Sequence, residues 1–198
     1  MVYLVRHGES VANLNKRFSG ITDVELSENG REQARAAGQI LTGEKISHVY
    51  SSTLQRARDT AKIICDEIGF DKDSIIMEDC LVEVNFGVFE NLTWDEIYAN
   101  YREESEKWME RQHRYIFPEG EGYDDIISRI SAFMDNVPDN SLVVTHFGVI
   151  QAVMLYLKIA DDENLWETVI SNCDILVLND AKFEKIIRNG ISAAAEGT

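Results

Sequence analysis

Two segments of this chain are built alike, and together they constrain the fold more than any other feature. One is Val2-Tyr3-Leu4-Val5-Arg6-His7-Gly8; the other is Leu142-Val143-Val144-Thr145-His146-Phe147-Gly148. Each is a short apolar run without polar alternation, ending in a histidine with a glycine close behind. Such a run reads as a strand buried on both faces, which requires a helical layer on each side. The intervening sequence supplies those layers. Ser27 caps a helix running to about Thr42, with Gly43 just past its end and Ala34, Ala37, Ile40 and Leu41 on its apolar face. Ile46 to Tyr50 forms a second strand. Ser52-Thr53-Leu54-Gln55 has the form of a capping box, opening a helix with Leu54, Ala57, Ala61, Ile64, Cys65 and Ile68 on one face and Gly69 as its stop. Ser74 to Met77 forms a third strand. Thr93-Trp94-Asp95-Glu96 is a second capping box, opening a long helix toward Tyr115. After a loop at Pro118–Gly122 come a helix from Tyr123 to Asn136, the strand Ser141–Thr145 and a buried helix from Phe147 to Leu157. Two last strands, Ile175–Leu178 and Phe183–Ile187, flank a turn near Asn179-Asp180. This alternation predicts an α/β protein with a mostly parallel central sheet and helices on both faces.

In such sheets ligands bind beyond the carboxyl ends of the strands. A lone histidine there is usually structural, but this chain has 4 histidines and places two of them so. If the two strands are neighbours, both imidazoles enter one crevice. A third strand end, Tyr50-Ser51-Ser52, leads into a helix whose first turn carries Arg56 and whose amino end favours an anion. Arg6, His7, Arg56 and His146 then form a set suited to phosphoryl chemistry. Two guanidiniums grip phosphoryl oxygens, one neutral imidazole attacks phosphorus, and the other donates to an equatorial oxygen.

Charge points the same way. The chain of 198 residues has 19 Lys+Arg and 35 Asp+Glu, a net of −16. Residues 1–60 hold 8 basic and 7 acidic groups, so the excess acid lies in the remainder and any anion site draws its cations from the first third. This balance argues against a nucleic-acid or anionic-membrane partner. Cys65, Cys80 and Cys173 are scattered, with no C-x-x-C pair, and read as reduced thiols. No apolar run is long enough for a signal peptide or a bilayer span, so a cytoplasmic location is expected.

The chemistry-bearing segments resemble, in order, the motifs of the histidine phosphatase superfamily, the phosphoglycerate mutase-like fold. Leu4-Val5-Arg6-His7-Gly8-Glu9-Ser10 with Asn13 resembles its signature. Phe18-Ser19-Gly20 with Asp23, Leu26 and Gly30 resembles the loop that follows. Ser51-Ser52-Thr53-Leu54-Gln55-Arg56-Ala57 with Thr60-Ala61 resembles the second arginine motif, and Leu81-Val82-Glu83-Val84-Asn85-Phe86-Gly87 with Glu90 the acid segment. Val144-Thr145-His146-Phe147-Gly148-Val149-Ile150 resembles the second histidine motif. The match spans about residues 2–150 and is similar to the small-phosphatase branch, with α-ribazole phosphatase and the broad-specificity enzymes.

The resemblance implies a three-layer α/β/α domain over 1–190, with 84–122 as a helical lid-like insertion and 191–198 as a flexible tail. It implies a metal-independent, cofactor-free phosphomonoesterase acting on a small phosphorylated metabolite. His7 would become phosphohistidine; Arg6, Arg56 and His146 would clamp the phosphoryl group; Glu83 would protonate the leaving oxygen and then activate water. Val82, Val84 and Phe86 should raise the Glu83 pKa. Asn13, Ser19, Gly20 and Phe147 are candidate substrate contacts, Gly8 and Gly20 offering close backbone approach. The chain departs from the family pattern at Thr53, Asn91, Gly122 and Phe147. A cofactor-dependent phosphoglycerate mutase and a non-catalytic phospho-ligand module are the alternatives, and a monomer or homodimer is expected.

Other residues carry competing readings. His48 reads as structural, at the start of a strand. Arg111, His113 and Arg114 read as a solvated helix end, or as a group reaching over the pocket. Trp94, Tyr98, Tyr101 and Trp108 read as core at helical spacing, or as a specificity wall.

Overall fold

A computed structural model describes residues 1–191 of the chain. Its six strands are β1 (Val2–Arg6), β2 (His48–Ser52), β3 (Ile76–Glu78), β4 (Ser141–Thr145), β5 (Ile175–Asn179) and β6 (Lys182–Ile187). They form one sheet in the order β3-β2-β4-β1-β5-β6. The first four positions pair in parallel, and β5 and β6 add an antiparallel edge. The helices are α1 (Val11–Leu14), α2 (Glu28–Leu41), α3 (Gln55–Ile68), α4 (Trp94–Asn100), α5 (Arg102–Arg111), α6 (Tyr123–Asn136) and α7 (Phe147–Tyr156).

The two-residue side-chain period of the strands builds the layers. Tyr3, Val5, Leu142 and Val144 pack against Ala34, Ala37, Leu41, Ala57, Ala61 and Ile64 of α2 and α3. Val2, Leu4 and Val143 face the other way, onto Ile126, Ile130, Val149 and Val153 of α6 and α7. The mostly parallel α/β sheet with helices on both faces is therefore present. The central pair is held in one register, with Arg6 opposite Thr145, so β1 and β4 end level.

Several boundaries differ from the sequence expectation. The second strand starts at His48 rather than Ile46, because the Ser47 and His48 amides both turn to the Asn140 carbonyl. The third strand lies at the sheet edge, with Ile76 and Met77 exposed. No capping box forms at Ser52–Gln55: α3 begins at Gln55 with Leu54 as an N-cap that makes no side-chain bond. The long helix toward Tyr115 is broken. Its capping box is present, with Thr93 and Glu96 exchanging bonds, but Asn100 bonds the Glu96 carbonyl and Tyr101 leaves the helical region before α5 begins. The helix ends at Arg111, where Gln112 takes a positive φ. The expected flexible tail falls almost wholly on residues 192–198, outside the described residues.

Candidate active site

The level ends of β1 and β4 bring the two histidines together. The His7 amide donates to the Thr145 carbonyl at 2.9 Å, and the rings of His7 and His146 stand 5.1 Å apart. His7 Nδ1 lies 2.7 Å from the Gly8 carbonyl oxygen. A carbonyl only accepts, so Nδ1 carries the proton and the neutral ring keeps its lone pair on Nε2. His146 Nε2 lies 2.8 Å from Ser52 Oγ, which also accepts the Leu54 amide at 3.3 Å. Both imidazoles are held well below the usual histidine pKa, first by burial and then by the nearby guanidinium of Arg56. They are neutral at physiological pH.

Each arginine is fixed by backbone carbonyls. Arg6 Nη1 donates to Ile170 O at 2.7 Å, and its guanidinium lies 5.2 Å above the Phe147 ring. Arg56 is almost fully buried. Its Nη1 donates to Thr22 O, and its Nη2 to Ser19 O and Gly20 O. The loop that makes these contacts is knotted by Glu90. That carboxylate accepts the amides of Gly20, Ile21, Thr22 and Phe86 and the Thr22 hydroxyl. Arg6 Nε and His146 Nδ1 are buried with no hydrogen-bond partner among the described residues; the Arg6 N–H is a donor that suits an oxyanion.

Glu83 is the carboxyl group of the cavity lining. It accepts the Val84 amide at 2.9 Å and the Gly148 amide at 3.2 Å. Burial raises its pKa above the usual glutamate range, against the pull of those amides and of Arg56. This is the predicted direction. A Cβ at Gly148 would come within 2.6 Å of Glu83 Oε1, so a side chain there would displace that carboxyl group.

One cavity of about 280 Å³ is lined by Arg6, His7, Asn13, Ser19, Arg56, Glu83 and Phe147 among others. His146 does not reach its wall; it lies fully buried beside His7. Gly20 is also outside the lining: its amide is taken by Glu90 and its carbonyl by Arg56. A Cβ at Gly20 would meet Val84 O at 1.9 Å, and one at Gly8 would meet Gly30 O at 2.3 Å. Both glycines therefore serve close packing of protein backbone. Asn13 Oδ1 accepts from the Ser10 amide and hydroxyl, so its amine is the end presented to a ligand.

Arg111, His113 and Arg114 do not line this cavity. His113 is buried and bonded to Asp162, not solvated, and Arg114 pairs with the same carboxylate. Tyr98 and Tyr101 are more than a third exposed and are not core, whereas Trp108 joins an aromatic cluster with Phe18, Phe86 and Phe117. Lys16 and Arg17 line the mouth and were missed in the sequence; the cationic bias of the first 60 residues was their only signal. Asn172, which bonds the His7 carbonyl at 2.9 Å, was also missed. The departure at Asn91 keeps the backbone shape a glycine would take, with φ of +59°, a region asparagine tolerates best after glycine.

The chain is similar to known proteins along most of its length. It is 29% identical over 189 residues to phosphoserine phosphatase 1 of Hydrogenobacter thermophilus, covering 93% of this chain and 88% of the relative. It is 32% identical over 180 residues to the 2,3-bisphosphoglycerate-dependent phosphoglycerate mutase 2 of Gloeobacter violaceus, covering 87% and 82%. The crystal structure of the α-ribazole phosphatase from Shigella flexneri has the same fold, with a TM-score of 0.82, 23% identity and 98% of each chain covered. The family model of the histidine phosphatase superfamily (branch 1) matches residues 2–188, and with these residues at the ends of these strands the chain belongs to that superfamily.

Proposed function

We propose that this protein hydrolyses a small phosphomonoester through a phosphohistidine on His7, without a metal. The observation that carries this reading is the tautomer of His7, which leaves Nε2 basic and unprotonated in the same cavity as a carboxyl group biased toward its acid form. His7 Nε2 attacks phosphorus and the bond to the ester oxygen breaks. The Glu83 proton passes to that oxygen, and the alcohol leaves. Glu83, now a carboxylate, takes a proton from water as the water oxygen attacks the phosphohistidine, releasing phosphate and restoring both groups. Arg6 and Arg56 hold the equatorial oxygens throughout, supplying the electrostatic stabilisation that dominates phosphoryl transfer. Two fixed guanidiniums provide the positive charge that a metal would otherwise bring.

The test is phosphate release from p-nitrophenyl phosphate and a panel of metabolite esters with EDTA present, for wild type and His7→Ala. EDTA-resistant turnover that disappears in His7→Ala supports the reading; turnover that survives the substitution contradicts it. The similarity to a phosphoglycerate mutase favours a second reading, in which the phosphoryl group returns to a second hydroxyl. Isomerisation of phosphoglycerate that depends on 2,3-bisphosphoglycerate would select it. Binding without turnover would select the non-catalytic module.

A further inference from the structure

Glu83 faces a second cavity as well. It measures about 160 Å³ and shares Phe18, Glu83, Phe86 and Phe147 with the phosphate cavity. Its further walls include Trp108, Phe117 and Trp166. The aromatic rings are locked against one another: Phe86 and Phe117 meet edge to face at 5.0 Å, as do Trp108 and Phe117 at 5.0 Å. Glu83 is the one acidic or basic side chain among the described residues lining it. The remaining hydroxyl, that of Tyr123, is committed to Gln151 at 2.6 Å.

We propose that this cavity receives the leaving group, and that the substrates are phosphate esters of alcohols bearing one apolar group about the size of a benzene ring. The inference rests on the phosphatase reading above. An acid that protonates the ester oxygen must lie beside it, so the carbon side of the ester sits on the Glu83 side of the phosphoryl group. The space there is this aromatic cavity. An apolar protein cavity of about 150 Å³ accommodates benzene, so the volume fits a single ring or a short branched alkyl chain. A carboxylate or an ammonium placed there would be desolvated with no opposite charge to receive it, apart from the acid the reaction needs protonated. Esters whose leaving group is charged, such as phosphoserine and phosphoglycerate, are therefore poor substrates. The purine of a nucleotide placed there would leave its polar edges unpaired. The cations at the cavity mouth, Lys16 and Arg17, line the phosphate cavity but not this one.

The test compares alkyl phosphates whose leaving alcohols have similar acidity, so that intrinsic reactivity does not decide the outcome: ethyl, n-butyl and 2-phenylethyl phosphate against glycerol 3-phosphate and phosphoserine. Burial of apolar surface should raise kcat/KM roughly fourfold per methylene from ethyl to butyl, and about tenfold or more from ethyl to 2-phenylethyl phosphate. Glycerol 3-phosphate and phosphoserine should fall at or below ethyl phosphate. Trp166→Ala, at a partly exposed wall residue, should lower the 2-phenylethyl to ethyl ratio several-fold. Histidine-dependent turnover with a flat or reversed series overturns the cavity assignment and leaves the phosphatase reading standing. A steep series that Trp166→Ala does not change also overturns it, because the selectivity then arises elsewhere. Loss of all turnover in wild type, or turnover that survives His7→Ala, counts against the phosphatase reading instead.

Discussion

At the scale of residues, the account turns on two protonation states set by burial. His7 must be neutral and Glu83 must begin protonated, and the structure biases both that way. Burial and the neighbouring Arg56 hold the histidine well below the usual imidazole range, so its titration limits activity only on the acid side. The Glu83 limb lies above its usual range: kcat/KM should fall as pH rises through the raised pKa, and that fall should disappear in Glu83→Gln. The same substitution should cost about 10²–10⁴-fold with alkyl leaving groups and much less with p-nitrophenyl phosphate, whose anion departs unaided. Burial of Glu83 also bears on stability. A carboxyl whose folded pKa is raised binds its proton more tightly when folded, so its favourable contribution is full below the unfolded pKa and is lost as pH rises through the folded one. Wild type should therefore lose Tm relative to Glu83→Gln as pH rises through the folded pKa of Glu83. Arg6, His7, Arg56 and His146 were legible as a set because their residue types suit one chemistry and their spacing places them at strand and helix ends, whereas Glu83 came only with the family resemblance. Asn172 was not, since an asparagine that holds one carbonyl looks like any other loop residue until β5 brings it back to β1. Gly8 and Gly20 were legible as necessary but not for the right purpose, because the backbones that crowd them are distant in sequence.

At the scale of elements, the loop over residues 19–22 does more than cover the pocket. It supplies three carbonyls to Arg56 and is itself tied to Glu90. Glu90→Gln removes the charge from these bonds and places an NH₂ where acceptors are needed. A charged hydrogen bond contributes about 1.5–3 kcal/mol, so the variant should lose at least ~2 kcal/mol of stability by denaturant titration. It should also lower kcat/KM by disordering the Arg56 fork, more in kcat than in KM if the fork grips the transition state. The elements show how far local signals reach. Helix α6 and strand β4 were read to the residue, because a closed apolar pattern and sharp flanking loops bound them. The start of α3 was misread because Ser52 still belongs to β2, where its hydroxyl meets His146 and the Leu54 amide rather than an amide of the helix. The break at Tyr101 was hidden because the apolar spacing continues through it; only the aromatic cluster of Phe18, Phe86, Phe89 and Phe117 around Trp108 shows where the second half has turned.

Across the whole molecule, three parallel strands deliver the two imidazoles and the second arginine, while the chain beyond β3 brings in Glu83. The site is complete only when the whole sheet is assembled. The charge is unevenly divided by region: the acidic excess behind the net of −16 lies beyond residue 60, and the cavity cations lie in the first 60 residues. A dianionic ester approaches through a repulsive field and binds in a local cationic one. Salt screens the first more than the second, since the Debye length is about 10 Å at 0.1 M and the guanidiniums are buried. At fixed pH, kcat/KM should therefore rise modestly with sodium chloride up to about 0.15 M, the reverse of an electrostatically steered enzyme; a steady fall would show that the mouth cations dominate. No helix among the described residues is long and apolar enough to cross a membrane. The covalent intermediate can be trapped by quenching the enzyme in the first turnover with ³²P-labelled ester and EDTA and mapping the label. A phosphoryl group is expected on the His7 peptide, labile in acid and stable in alkali, and absent from His7→Ala. Phosphate released at the wild-type rate with no labelled His7, or label that persists in His7→Ala, would contradict that expectation.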